Sequence, residues 1–253
     1  MYSNAIVREV PDSFTQCVTS FIGSEPIDVN LARNQHKVYC ETLEHLGLKL
    51  INLAADNSLP DCCFVEDTAI VVDELAIITS PGVTSRVAET IAMEEALKPI
   101  RKIYSINSPG TIEGGDALRI DKKIYIGVSS RTNVEGIKQA SEILSPYGYN
   151  IIPVCINGTL HLKSVVTYLG ENTIILAEGH LDETIFSEYD KVIVPVEEAY
   201  CANCLEINGK VLIPKGYPYT KSLLVQKGFD VIELEMSEFE KADGALTCKS
   251  ILF

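Results

Sequence analysis

The chain has 253 residues, 46% hydrophobic and 22% charged, enough to bury a full core without metal or disulfide. A formal net charge of −14 argues against a nucleic-acid partner, because holding phosphates needs a surplus of Lys and Arg on some face, whereas a cationic small molecule would be attracted. No apolar run approaches the roughly 20 residues of a membrane span, and the start MYSNAIVREVPDSF lacks a basic segment followed by an apolar one, so the expected location is the cytoplasm, away from membranes.

In chain order, apolar runs of strand character fall at Asn4–Arg8, Lys49–Leu53, Ala69–Val72, Leu75–Thr79, Lys102–Ile106, Ala117–Ile120, Lys123–Gly127 and Tyr149–Val154. They continue at Ser164–Leu169, Thr173–Ala177, Lys191–Val196, Cys204–Ile207, Lys210–Pro214, Phe229–Leu234 and Ala245–Phe253. Helical periodicity lies between them, at about Leu31–Leu46, Ser85–Leu97, Asn133–Leu144, Asp182–Ser187 and Tyr219–Gln226. The order hairpin, helix, strand recurs, and no Pro-, Gly- or Ser-rich linker interrupts it, so residues 1–253 are read as a single domain.

Aligning Glu66, Glu113, His161, Asn203 and Cys248, each near the start of a hairpin, gives intervals of 47, 48, 42 and 45 residues. Periods of this length mark solenoids or radial arrays. Pairing of the last strand with the first would close a ring of five modules and remove its edges. The expected architecture is therefore α/β, a fivefold pseudosymmetric propeller of ββαβ-type modules whose aligned positions face one axis.

Eight cysteines, at 17, 40, 62, 63, 155, 201, 204 and 248, are scattered in a way that suits free thiols in a reducing compartment. Cys201 and Cys204 form a lone CxxC without a second pair, which reads as buried strand cysteines before it reads as zinc. A cysteine, a histidine and carboxylates at equivalent points of a ring are different: they supply a nucleophile, an acid/base and groups that orient it or neutralise charge. Either residue alone would be read as structural. The shared register raises Cys248 and His161 above His36, His45 and His180. Glu113-Gly-Gly-Asp116 puts glycines that permit close backbone approach or positive φ beside an acid. Asp61, Glu66 and Asp67 bring negative charge to the same axis, a cost that a cationic ligand would relieve.

Phe64-Val-Glu-Asp, Glu113-Gly-Gly-Asp, Ser130-Arg-Thr-Asn, His161-Leu-Lys-Ser and Asp243-Gly-Ala-Leu-Thr-Cys together resemble the dimethylarginine dimethylaminohydrolases of the guanidine-modifying pentein superfamily, nearly end to end. The resemblance implies a pentein propeller and a cysteine hydrolase. Its substrate would be a small methylated arginine, its products citrulline and an alkylamine, reached through a covalent thiouronium, with no cofactor or metal. It implies Cys248 as nucleophile, His161 as general acid and then base, and Glu113 as the carboxylate that orients it. By the same resemblance Asp61, Glu66 and Asp67 hold or support the guanidinium. Arg86 and Arg131 bind the substrate carboxylate, Asp243 the α-amino group, and Ser164 belongs to the pocket. The stretch Pro81-Gly-Val-Thr-Ser-Arg-Val lacks the second basic residue often found after the arginine, which favours Arg131 over Arg86.

Arginine deiminases are the nearest alternative, but carry Asp two residues after the histidine where this chain has Lys163; the missing acid is read as room for N-methyl groups. Hydrolysis of another guanidino or ureido compound, a propeller without catalysis and a zinc hydrolase remain the more distant readings. The segment Cys17–Asp28, with Thr19 and Ser24, is expected near the mouth as a lid. Oligomeric state is left open, with a homodimer among the options.

Overall fold

The computed structural model describes residues 1–20 and 25–253. Strand β1 (Asn4–Arg8) pairs in parallel with β2 (Lys49–Leu53) and antiparallel with β15 (Ile251–Leu252), in the register Ala5 to Leu252. Four further sheets each add a parallel strand to an antiparallel hairpin. They are β3 (Ala69–Val71), β4 (Leu75–Ile78) and β5 (Lys102–Ser105); then β6 (Ala117–Ile120), β7 (Lys123–Val128) and β8 (Asn150–Cys155). Next come β9 (Val166–Gly170), β10 (Thr173–Ala177) and β11 (Asp190–Val194), and finally β12 (Leu205–Ile207), β13 (Lys210–Pro214) and β14 (Asp230–Leu234).

A parallel step requires a crossover. Helices α1 (Val29–His45), α2 (Glu89–Leu97), α3 (Val134–Leu144) and α4 (Pro218–Gln226) supply four of the five, and a short α5 (Ser237–Glu240) follows β14. The helix starts are written locally: the Asp28 carboxylate accepts from the Asn30 and Leu31 amides, and the Asn133 side chain from Gly136. The fifth crossover, expected as a helix over Asp182–Ser187, is a single 3-10 turn, Glu183–Phe186, because the segment is too short to pay for helix nucleation. Five sheets with β15 closed on β1 make the fivefold α/β propeller.

The middle strands β1, β4, β7, β10 and β13 are buried on both faces, and β10, whose module has no α-helix among the described residues, packs against the 3-10 segment Val196–Ala202. This is why they read as continuous apolar runs such as Leu75-Ala-Ile-Ile and Thr173-Ile-Ile-Leu-Ala rather than alternating ones. Truncating Ile77, which has no exposed surface, to Ala would cost about 2–5 kcal/mol. Hairpin turns use the residues that tolerate positive φ, as at Asn208-Gly209, where φ is 50° and 88°.

The C-terminal run departs from expectation. Ala245–Phe253 is not one strand, since only Ile251–Leu252 pair with β1 and Thr247–Lys249 wind into a 3-10 turn. Among the described residues no helix is long and apolar enough to cross a membrane.

Candidate active site

Each hairpin is entered through a tight turn, and four of these turns build the site: Val65–Thr68, Gly114–Asp116, Leu162–Ser164 and Thr247–Lys249. The first packs against the second and the fourth, and the second against the third. A 3-10 turn suits this place because its neighbouring residues point in sharply different directions. Adjacent side chains can then face opposite sides of the floor.

The small cavity at one end of the axis is lined by Asp61, Asp67, Arg86, Arg131, His161, Asp243 and Cys248, together with Val18, Phe64 and Leu160. Seven of the predicted site residues thus meet there. Glu113 stands directly behind His161, accepting from its Nε2 at 2.6 Å; its other oxygen accepts from the Gly82 amide at 2.9 Å. Asp116 carries the next residue, accepting from the Leu162 amide at 2.9 Å and the Ser129 hydroxyl at 2.6 Å. The Cys248 thiol accepts from the Ala245 amide at 3.4 Å.

Glycine is required between these groups for space, not for φ. A Cβ on Gly114 would lie 1.9 Å from the Glu66 carbonyl oxygen, and one on Gly115 would lie 2.7 Å from Asp67 Oδ1 and 2.8 Å from His161 Nδ1.

Burial opposes charge on every group here, so the ion pairs decide which remain ionised. Burial lowers the His161 pKa, but Asp67, Glu113 and Asp116 overcome it and raise it to about 9. Burial likewise raises Asp67, yet His161 and Arg86 reverse that and hold it down at about 2. The pair is an imidazolium and a carboxylate at neutral pH. For Cys248 burial wins, reinforced by Glu66 and Asp67, and the thiol is pushed up to about 12.

Three expectations are corrected. Glu66 does not line the cavity, although it was aligned with His161 and Cys248; its oxygens accept from Lys163 and Thr247 on the reverse of the floor, and Asp67 faces the site instead. Ser164 is half-buried, its amide donating to the His161 carbonyl at 3.2 Å, and lies outside the cavity lining. Lys163 also points away, so room for N-methyl groups cannot be read from that position.

The two arginines divide unequally. Arg86 spends its fork on Asp67 (2.7 Å), on Glu89 (2.8 Å) and on the Phe64 carbonyl (3.1 Å), and so acts as a brace for Asp67. Glu89, its partner one helical turn on, escaped the sequence reading; the i,i+3 spacing was the available signal. Among the described residues Arg131 Nη1 is buried without a hydrogen bond, although it lies within ion-pair distance of Glu113 Oε1, at 3.5 Å. At the mouth, Asp61 accepts from the Val18 amide at 3.1 Å, and Asp243, held at φ 55°, accepts from the Ser20 hydroxyl at 2.8 Å. The Thr19 hydroxyl donates to the Lys241 carbonyl at 2.9 Å; Ser24 lies outside the described residues.

One atom each of Asp67, Glu113 and His161 fall within 4.8 Å of one another, a spacing that could hold an ion. In this structure the same atoms are bonded to one another and to their neighbours, His161 Nε2 to Glu113 and Asp67 to Arg86 and the Gly115 amide, so the cluster is a network of ion pairs and hydrogen bonds.

A family model described as N,N dimethylarginine dimethylhydrolase, eukaryotic, matches residues 11–250. The N(G),N(G)-dimethylarginine dimethylaminohydrolase of Pseudomonas aeruginosa is 35% identical over 255 residues, covering 100% of both chains. That of Streptomyces coelicolor is 34% identical over 98% of this chain and 95% of its own. A solved cysteine-to-serine mutant of the Pseudomonas aeruginosa enzyme, complexed with citrulline, superposes with a TM-score of 0.95 at 34% identity over 100% of each chain. The N-terminal domain of ArgZ, an arginine dihydrolase from cyanobacteria, shares the fold at 17% identity with a TM-score of 0.91, covering 100% of this chain and 97% of that one. With its active-site geometry, its family-model match and relatives similar along the whole chain, this protein belongs to the dimethylarginine dimethylaminohydrolase family.

Proposed function

We propose that this chain hydrolyses N-omega-methylated arginine to citrulline and an alkylamine, with Cys248 as nucleophile, His161 as acid and base, and Glu113 as the group that fixes the imidazole. The observation that carries this reading is the cavity itself, where Cys248, His161 and Asp67 meet beside Arg131, Asp61 and Asp243. The named relatives from Pseudomonas aeruginosa and Streptomyces coelicolor support the methylated substrate.

Substrate binding and thiol ionisation are linked. A guanidinium entering against Asp67 offsets the negative charge that keeps the Cys248 proton in place, and the thiol loses that proton to solvent. The Cys248 thiolate then forms a bond to the guanidinium carbon. The C–N bond to the substituted nitrogen breaks as imidazolium His161 protonates the departing amine, leaving an S-alkylthiouronium on the enzyme. Neutral His161 takes a proton from water as hydroxide adds to the same carbon; the C–S bond then breaks and the proton of the new hydroxyl passes to the departing Cys248 sulfur, leaving the ureido group of citrulline and a free thiol.

Arg131, whose Nη1 makes no hydrogen bond among the described residues, receives the substrate carboxylate, and Asp61 and Asp243 receive the α-ammonium. Arg86 serves that site through Asp67. All eight cysteines are free, which supports a reducing cytoplasmic location. The acidic surface supports a small cationic substrate over a nucleic acid, and a homodimer is compatible with this single-chain site.

Product analysis tests the reading: the purified protein is incubated separately with asymmetric dimethylarginine, monomethylarginine, arginine and agmatine, with Cys248→Ser as control. Citrulline with dimethylamine from the first, lost in the variant, is expected. Preferential turnover of unmethylated arginine would make the protein a deiminase.

A further inference from the structure

Beneath the active-site floor lies a second, larger cavity of about 490 Å³, open near Met1 and reaching inward to Glu66, Lys163 and Thr247. Each of these three is a near neighbour in sequence of a residue facing the active site: Glu66 precedes Asp67, Thr247 precedes Cys248, and Lys163 follows His161 by two. Lys163 Nζ donates to Glu66 Oε1 at 2.5 Å and the Thr247 hydroxyl to Glu66 Oε2 at 2.8 Å. One carboxylate therefore ties together the turns that carry Asp67, His161 and Cys248. The Thr247 amide is held in addition by Asn203 Oδ1 at 3.1 Å, so the turn bearing the nucleophile is fixed on two sides.

Glu66 is almost fully buried, where an uncompensated carboxylate is costly, and among the described residues Lys163 is the cation within ion-pairing distance of it. Its charge also reaches the reacting sulfur: Glu66 raises the Cys248 pKa and Lys163 lowers it. Among the described residues the other charged or titratable groups around Cys248 are Asp61, Asp67, His161, Arg86, Arg131 and Asp243 across the cavity, and Tyr39, Tyr200 and Lys249 on the core side.

We propose that Lys163 is a positioning residue for the nucleophile, neutralising Glu66 from behind the floor so that the Cys248 thiolate can form, and locking the His161 and Cys248 turns in mutual register. This rests on the assignment of Cys248 as nucleophile. It also gives the lysine two residues after the histidine a task unrelated to fitting the methyl groups.

The test follows alkylation of Cys248 by iodoacetamide against pH, read by mass spectrometry of the Cys248 peptide, in wild type, K163M, K163R, E66Q and E66Q/K163M. Alkylation needs no turnover, so failure of this proposal is distinct from failure of the methylarginine reading, which would show as absent turnover by wild type. K163M is expected to shift the thiol titration upward by about one pH unit, slowing alkylation near pH 8 by about tenfold. K163R should behave as wild type, the double variant should return to within about threefold of it, and E66Q alone should react faster. A K163M profile superimposed on wild type, or a double variant as slow as the single, overturns the proposal. If K163M fails to fold, E66Q and the double variant carry the test, and E66Q no faster than wild type overturns it.

Discussion

Lys249, the residue after Cys248, has no exposed surface and forms no ion pair among the described residues. Its amine sits 4.3 Å from the centre of the Tyr39 ring and 3.9 Å from that of Phe239, with Met236 Sδ at 4.0 Å. Cation–π contact with two rings recovers part of the lost hydration, but burial still lowers the amine from 10.5 to about 7. The sign follows from linkage. Between about 7 and 10.5 the unfolded chain binds the proton and the folded one does not, so this group makes stability rise with pH. At pH 7 the penalty is of order 4 kcal/mol, falling by roughly 2 kcal/mol by pH 9. Lys249→Met keeps an unbranched side chain of similar length and removes the amine. It should be more stable than wild type by about 2–4 kcal/mol at pH 7, with the difference shrinking towards pH 10. Urea denaturation of both proteins at pH 7, 8, 9 and 10 gives the difference directly and cancels the titration of groups common to both. Activity should change little, because the amine faces the aromatic core and not the cavity. Parallel stability curves, or a variant less stable at pH 7, would refute the account.

Three further outcomes follow from the site. The His161 pKa is raised from 6.5 to about 9, so its ion pairs contribute stability that is complete below pH 6.5 and lost as pH rises through about 9; His161→Ala should remove that decline, as read by Tm against pH. Gly115→Ala pushes a methyl into Asp67 and His161, and should reduce kcat by about a hundredfold or more, with a Tm change that cannot account for it. Arg131→Gln removes the carboxylate fork and should raise KM for methylated arginine by roughly 10–100-fold. The same Arg131 substitution should leave agmatine, which has no carboxylate, unaffected; an equal loss with both would place the carboxylate elsewhere.

What the sequence determined by itself was what repeats and what closes. Apolar runs such as Thr173–Ala177, short and rich in β-branched residues, read as strands, and the 42–48 residue spacing implied five modules. The meeting of Cys248, His161 and a carboxylate was legible for the same reason. Equivalent points of a ring share an axis, as His161 and Cys248 do, although Glu66 at the same register faces the reverse of the floor. What it could not determine was direction. In a 3-10 turn neighbouring side chains diverge, so the difference between Glu66 and Asp67, or between His161 and Lys163, is which side of the floor a residue faces. That is decided by packing among turns whose bonded residues are 48, 97 and 181 positions apart. Only the folded ring shows Arg86 bonded to both Asp67 and Glu89, Arg131 Nη1 without a hydrogen bond among the described residues, and Lys249 turned into the aromatic core, because each depends on partners brought near by closure and not by sequence.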